Sequence, residues 1–399
     1  MTKICLYLAL VVLLLAVAAG GGAADWPQWR GPSLNGVAPD TGLNKNWAQK
    51  PPQQLWSVPL GDAGYAGPSE ADGRVFLIDH QGNQDIVRAL DFKTGKDLWQ
   101  FPYPDTAKAN YGFARSTPTV NEGRVYTLGR LGELNCLEET TGKLLWSHNL
   151  LTDFGGKRAT WDYAMSVLID GNQAIVEPGG QNLLVALDKT TGQTLWAGGG
   201  TDLPGYATPV VATLNGVKQY VVFSASGVRG VSADNGQVLW TYPWKTSYDI
   251  NAATPVILGN RVLITSGYKV GCALLNITAP GPQVLWQNPD MCCRFSSPVL
   301  YNGLLWGGGD GSFAGIDPET GKTLFKQGGF DQGSVLAVDN VLLVLFGGTG
   351  ELDMTTAQNP PQTLGKITPL GGQSWTAPIM ADGKLLIRNT QMLACLDMR

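Results

Sequence analysis

An all-β fold is predicted for this chain: an eight-bladed β-propeller of four-stranded antiparallel blades. Three observations predict it. A turn-plus-aromatic phrase recurs along the 399 residues, its spacing suits a four-stranded blade, and 52 glycines with 24 prolines favour tight turns over long helices.

The phrase is clearest at Asp91-Phe92-Lys93-Thr94-Gly95-Lys96-Asp97-Leu98-Trp99, and it returns at 138–146, 188–196, 233–240 and 317–325. Val284-Leu285-Trp286 keeps only the end of it, and Gln54-Leu55-Trp56 stands ahead of all the others. The aromatic anchors are therefore Trp56, Trp99, Trp146, Trp196, Trp240, Trp286 and Phe325, at intervals of 39 to 50 residues. Upstream of each turn lie β-formers such as Arg74-Val75-Phe76-Leu77-Ile78. Each Asp-x-x-Thr-Gly is read as the hairpin between the third and fourth strands. The Asp accepts from turn amides, and Gly takes the left-handed position. The anchor then starts the outer strand and fills the wedge between blades.

A second phrase opens the blades: Ser116-Thr117-Pro118, Ala207-Thr208-Pro209, Ala253-Thr254-Pro255, Ser296-Ser297-Pro298 and Thr376-Ala377-Pro378, with Tyr65-Ala66-Gly67-Pro68 as a variant. Pro is tolerated where a strand begins, so these segments lead into the innermost strands. The residues ahead of each Pro then gather at one mouth of the central channel. Seven blades fall near 62–104, 112–150, 161–200, 204–244, 250–290, 294–328 and 330–368, the last having lost both turn and Trp. The segment from Gln373 to Arg399 offers three strands, and residues 54–60 offer the fourth. Together they make an eighth blade and close the ring, leaving no free sheet edge.

The N-terminal end reads differently. Lys3, an apolar run of about 16 residues and the small residues Gly20 to Ala24 are in the order of a secretory signal peptide. Cleavage is expected near Ala24, giving 1–24 signal peptide, 25–51 arm and 52–399 a single propeller, with a periplasmic or secreted location. The apolar run is shorter than the roughly 20 residues of a spanning helix, so no membrane span is expected in the mature chain. Trp26, Trp29 and Trp47 are expected to pin the arm to the propeller.

Without Lys3 the chain has 27 basic against 32 acidic residues, which argues against a nucleic-acid surface. Five cysteines remain, too few for a disulfide scaffold. His80 and His148 are too few for a His-built metal site. Nothing in the chain spells a hydrolase or a phosphate loop. A monomer is expected.

The run from Ala89 to Trp99 resembles the repeat of the pyrroloquinoline-quinone (PQQ)-like propeller family. That family includes the quinoprotein alcohol dehydrogenases and the outer-membrane barrel-assembly lipoprotein. The resemblance covers residues 52–399, and Asp25-Trp26-Pro27-Gln28-Trp29-Arg30-Gly31-Pro32 is similar to the start of many secreted members. It implies the fold but no activity, because the repeat builds blades and does not by itself hold the quinone.

Candidate site residues follow from the expected mouth. The resemblance gives Cys292-Cys293 a sharp reading: quinoprotein alcohol dehydrogenases stack their cofactor on a disulfide between adjacent cysteines near an inner strand. The plain alternative is two ordinary thiols, or one bonded to Cys272. A polar and aromatic set, Arg115, Trp161, Asp162, Tyr163, Tyr206, Asn251, Arg294, Asp331 and Trp375, is expected at the same mouth. Two arginines suit an anion such as a quinone tricarboxylate, and Asp162 or Asp331 suits a base or a calcium ligand. Glu177 and Asn251 are the remaining candidates for calcium. His80, Arg130, Tyr268, Lys269 and Asp310 are expected as surface residues near the rim. The reading favoured is a non-catalytic exported propeller binding a protein, peptide or glycan at its channel face. The alternatives are a quinone- and calcium-dependent dehydrogenase of alcohols or sugars, and an outer-membrane assembly factor.

Overall fold

The computed structural model of the chain describes residues 25–109 and 111–399. The expected leader over residues 1–24 lies outside the described residues. Eight sheets stand in a ring, each with its strands in chain order except at the closure and in the seventh, which takes an added strand from the arm. Blade 1 is Ser69–Ala71, Arg74–Gln81, Gln84–Asp91 and Asp97–Pro104. Blades 2 to 7 repeat this plan, and the first strands of blades 1 to 3 touch one another around the channel. Blade 8 joins Ile379–Ala381, Lys384–Arg388 and Met392–Asp397 to Gln53–Pro59, which lies one residue earlier than expected. Trp56 sits opposite Cys395 and Val58 opposite Leu393, so the ring is closed by pairing between the two ends of the chain.

The repeated turns behave as their chemistry dictates. Asp91 Oδ1 accepts from the amides of Lys93 and Thr94 and from Thr94 Oγ1, and Asp188 does the same in blade 3. After every such turn the outer strand carries a bulge, and the unpaired residue is leucine in all eight blades: Leu55, Leu98, Leu145, Leu195, Leu239, Leu285, Leu324 and Leu364. The extra residue aims the aromatic that follows it at the neighbouring blade. It also roughens the outer edge against pairing with other chains.

Four of the seven anchors bond across to the next blade. The indole of Trp56 donates to Phe92 O at 3.0 Å, Trp99 to Glu139 O at 2.9 Å, Trp146 to Lys189 O at 3.1 Å and Trp286 to Pro318 O at 3.0 Å. Trp196 and Trp240 instead donate within their own blades, to Gln173 Oε1 at 3.1 Å and Gln219 Oε1 at 2.6 Å. Trp56, Trp99 and Trp240 are buried, but Trp146, Trp196, Trp286 and Phe325 are only half-buried. The full wedge expected for every anchor is thus partial, because the outer strand leaves one side of the ring to solvent.

The opening phrases bind blade to blade. Ser166 Oγ accepts from the Thr117 amide at 3.0 Å, Thr208 Oγ1 from Ser166 N at 2.9 Å and Ser297 Oγ from Thr254 N at 2.8 Å.

The arm does more than lie on the propeller. Trp26 exchanges two backbone hydrogen bonds with Glu70 in blade 1, Pro27 O accepts from Val120 N in blade 2, and Trp29 Nε1 donates to Thr254 Oγ1 in blade 5. The buried Arg30 guanidinium donates to Pro298 O at 2.7 Å and Asn35 O at 2.8 Å. Val37–Ala38 then adds a parallel fifth strand to the inner edge of blade 7. Residues 25–38 therefore cross the channel from wall to wall. Trp47 packs on Gly365 in the blade that lost its own Trp.

Candidate functional site

A cavity of about 530 Å³ opens at the channel mouth that the Pro phrases mark. Every blade contributes the segment ahead of its inner strand: Tyr65 from blade 1, Arg115 from blade 2, and Trp161, Ala164 and Ser166 from blade 3. Tyr206 comes from blade 4, Ile250 and Ala252 from blade 5, Arg294 and Phe295 from blade 6, Asp331 and Gln332 from blade 7, and Trp375 from blade 8. Trp29, from the arm, completes the lining, and Tyr111, Tyr248 and Tyr268 come in from loops. The volume is within the range of small-ligand sites, about 300–1,000 Å³.

Aromatic rings dominate the wall. Tyr65 stacks on Trp375 with centroids 5.4 Å apart, and Phe295 lies against Trp375 at 5.3 Å. Tyr111 meets Trp161 edge-on at 5.3 Å, and Tyr248 stands between Trp161 and Tyr268. Tyr206 Oη accepts from the Trp161 amide at 3.2 Å, and burial pushes its phenol up to about 12.

The two wall arginines already have acidic partners. Arg115 lies 3.7 Å from Asp162, which also takes Arg130 and Arg158 at 2.8 Å each. Arg294 pairs with Asp310 and places its guanidinium 4.3 Å from the Tyr268 ring centre. Asp331 is exposed on the wall and accepts from Gln332 Nε2 at 3.3 Å.

Six of the predicted residues thus converge on the cavity: Arg115, Trp161, Tyr206, Arg294, Asp331 and Trp375. Asp162 lies behind the wall in the arginine cluster. Tyr163 is buried with its hydroxyl on Pro178 O, and Asn251 is buried, donating to Ser224 O at 2.9 Å and accepting from Ser266 Oγ at 2.8 Å. Glu177 is fully buried, and burial holds its carboxyl well above the ordinary range. Cys292 and Cys293 are buried free thiols, as is Cys272. Cys292 Sγ donates to Pro289 O, while burial pushes the Cys293 thiol up to about 12.

Of the residues expected on the surface Lys269 is exposed, and the other four are corrected. His80 and Arg130 are each 1% exposed, and Tyr268 is on the cavity wall. Asp310 is held between Arg294 and the Lys269 amide. His80 Nδ1 lies 2.8 Å from Asp85, whose carboxyl burial pushes up to about 6, and its Nε2 faces Gly82 O. His80, Asp85 and Asp105 are close enough to share an ion, but Asp105 already holds Arg130 in a two-pronged pair at 2.7 Å. The guanidinium occupies the place of a cation.

A quinone with calcium, the group the resemblance implies, needs converging oxygen ligands and a flat support on the wall. Here Glu177, Asn251 and the adjacent thiols are buried and do not line the cavity, and the arginines have aspartate partners. As placed, the residues of this chain do not fit that group.

Comparison with known proteins agrees with the architecture. "Outer membrane protein assembly factor BamB" from Yersinia pestis is 26% identical over 368 residues, covering 84% of this chain and 86% of that protein. The crystal structure of BamB from Moraxella catarrhalis superposes with a TM-score of 0.63 at 17% identity, covering 87% of this chain and 99% of that one. Quinohemoprotein alcohol dehydrogenase from Comamonas testosteroni gives 0.68 at 13% identity, covering 93% of this chain and 80% of that one. Both structural likenesses show the fold alone. No helix among the described residues is long and apolar enough to cross a membrane. The family model described as outer membrane protein assembly factor BamB matches residues 83–327, and the chain belongs to that PQQ-like propeller family.

Proposed function

We propose that this chain is a non-catalytic binding protein of the cell envelope, exported with cleavage near Ala24, which receives its ligand at the channel face as a monomer. One observation carries the reading: all eight blades send their opening segments to a single aromatic cavity whose lining is completed by the chain's own arm. The test is dye reduction by purified protein with added PQQ, calcium and a range of alcohols and sugars. No turnover is expected. Quinone-dependent turnover would replace this reading with the dehydrogenase one.

Family membership favours a second reading, an accessory role in outer-membrane protein assembly like that named for the relatives. Its test is co-purification of the chain with envelope proteins after cross-linking from the rim. Recovery of outer-membrane assembly components, lost when Tyr111 and Tyr248 are changed, supports it.

A further inference from the structure

Resting on the binding reading, we propose that the cavity takes a neutral saccharide, one or two sugar units at the end of a glycan. Four observations point there. The first is enrichment: nine of the twenty lining residues are aromatic, against 9% of the chain as a whole. Sugar rings offer flat C–H faces that stack on such surfaces, with hydroxyl groups around the edge.

The second is the kind of polar group on the wall. Five tyrosines line it, Tyr65, Tyr111, Tyr206, Tyr248 and Tyr268, and a phenol both donates and accepts. A polyol needs both roles at every hydroxyl. An anion needs donors and uncompensated positive charge. Here Arg294 is held by Asp310, Arg115, Arg130 and Arg158 share Asp162 and Asp105, and Asp331 on the wall adds a fourth carboxylate against these four arginines, so no net positive charge is left for an anion.

The third is shape. The arm crosses the channel beneath the mouth and Trp29 reaches the cavity lining, so an extended peptide meets chain already in the path. A compact end group fits the space left above it.

The fourth is backbone strain. Sixteen described residues other than glycine have positive φ, and the aromatic ones among them are Tyr111, Tyr248 and Tyr268, at 59°, 60° and 60°. All three stand on the cavity wall, and Tyr111 and Tyr248 are 71% and 63% exposed. Left-handed backbone is unfavourable for a bulky residue, costing about 1–3 kcal/mol, and persists mainly at functional sites. These rings are held out over the mouth at the expense of stability, as a collar for a stacking ligand.

The strain supplies the test. Tyr111→Gly and Tyr248→Gly remove the ring and relieve the backbone, so a residue serving only the fold and one serving a ligand behave oppositely. Purified protein is titrated with cellobiose, maltotriose, xylotriose and N,N′-diacetylchitobiose by calorimetry and tryptophan fluorescence. At least one sugar is expected to bind with Kd below about 1 mM. Each glycine variant is expected to weaken it at least about tenfold with an unchanged or higher melting temperature, whereas Leu195→Ala on the outer edge changes nothing. No sugar binding, or binding indifferent to both glycine variants, overturns the proposal. An unfolded carboxymethylated polypeptide and free PQQ are titrated alongside. Polypeptide binding that the variants abolish removes the saccharide and leaves the binding reading standing. PQQ binding with dye reduction removes both.

Discussion

The indole of Trp99 rests on the bare α-carbon of Gly142 in the next blade: a β-carbon there would come within 2.5 Å of Cε3. The same side chain donates to Glu139 O, so one residue both packs against and bonds the neighbouring turn. Gly123 lies in the same blade with nearly the same φ, +73° against +72°, but nothing stands within 4 Å of its absent β-carbon. Gly123→Ala should therefore lose only the left-handed preference, about 1 kcal/mol. Gly142→Ala adds overpacking, typically 1–3 kcal/mol more. Trp99→Ala should lose roughly 3–5 kcal/mol, and combining it with Gly142→Ala should cost less than the sum, since the clash is gone. Urea melts of the four variants measure this, and strict additivity would contradict the contact.

The half-buried anchors should cost less. Trp146→Ala and Trp196→Ala are expected to lose about 1–3 kcal/mol, in proportion to the apolar area they hide. A loss equal to that of Trp99→Ala would mean their outer faces are covered in solution.

The ring and the direction of its mouth were legible because both are written in repeated local chemistry. The Pro phrases led to Arg115, Trp161, Tyr206, Arg294, Asp331 and Trp375, all of which reach the cavity. Asn251 failed for a simple reason. Its amide is drawn inward to the Ser224 carbonyl and the Ser266 hydroxyl, so it braces the wall that Ile250 and Ala252 line without joining it. Tyr111, Tyr248 and Trp29 were not legible as site residues. The tyrosines sit in loops outside the repeat phase, and Trp29 reaches the site only because the arm crosses the channel, a contact between residues more than 200 positions apart.

Arm and closing strand separate in truncation. Removing residues 25–51 leaves Gln53–Pro59 on Met392–Asp397, so the ring stays closed. The expected product is a folded monomer with a lower melting temperature and a channel no longer crossed by the arm. Removing residues 25–61 also strips the closing strand and exposes the edge of Met392–Asp397, which should aggregate. Size-exclusion chromatography distinguishes the two. A monomeric longer deletion with the parental melting point would contradict closure.

The thiols give a chemical check on the wall. Cys136, Cys272, Cys292, Cys293 and Cys395 are all buried and free, and burial raises each thiol, Cys293 to about 12. The thiolate is the reactive form, so all five should resist alkylation until the chain unfolds. Mass spectrometry of unreduced peptides should show Cys292 and Cys293 unlinked. A bond between them would require the segment ahead of blade 6 to be rebuilt and would reopen the quinone reading.

Stability should fall as pH rises toward 8, and Glu70 should carry part of that slope. Its carboxyl is 2% exposed on the inner strand of blade 1, where burial first and the neighbouring Asp25 carboxylate second push it from 4.5 up to about 8. Asp85 in blade 1 is pushed up to about 6, again mainly by burial. An acid with a raised folded value keeps its proton in the native state over a range where the unfolded chain has released it. The folded state then binds more protons, and stability decreases with pH across that range. The contribution is fully present below about 4.5 and is lost as pH passes through 8. Glu70→Gln keeps the size and a hydrogen-bonding oxygen for the Gly73 amide, which Glu70 Oε1 now accepts from at 3.1 Å, but cannot ionise. Melting temperatures measured every half unit from pH 5 to 8 should decline for the parent and decline less steeply for Glu70→Gln. Parallel slopes in the two proteins would show that Glu70 is already ionised at neutral pH, with Asp25 displaced from it.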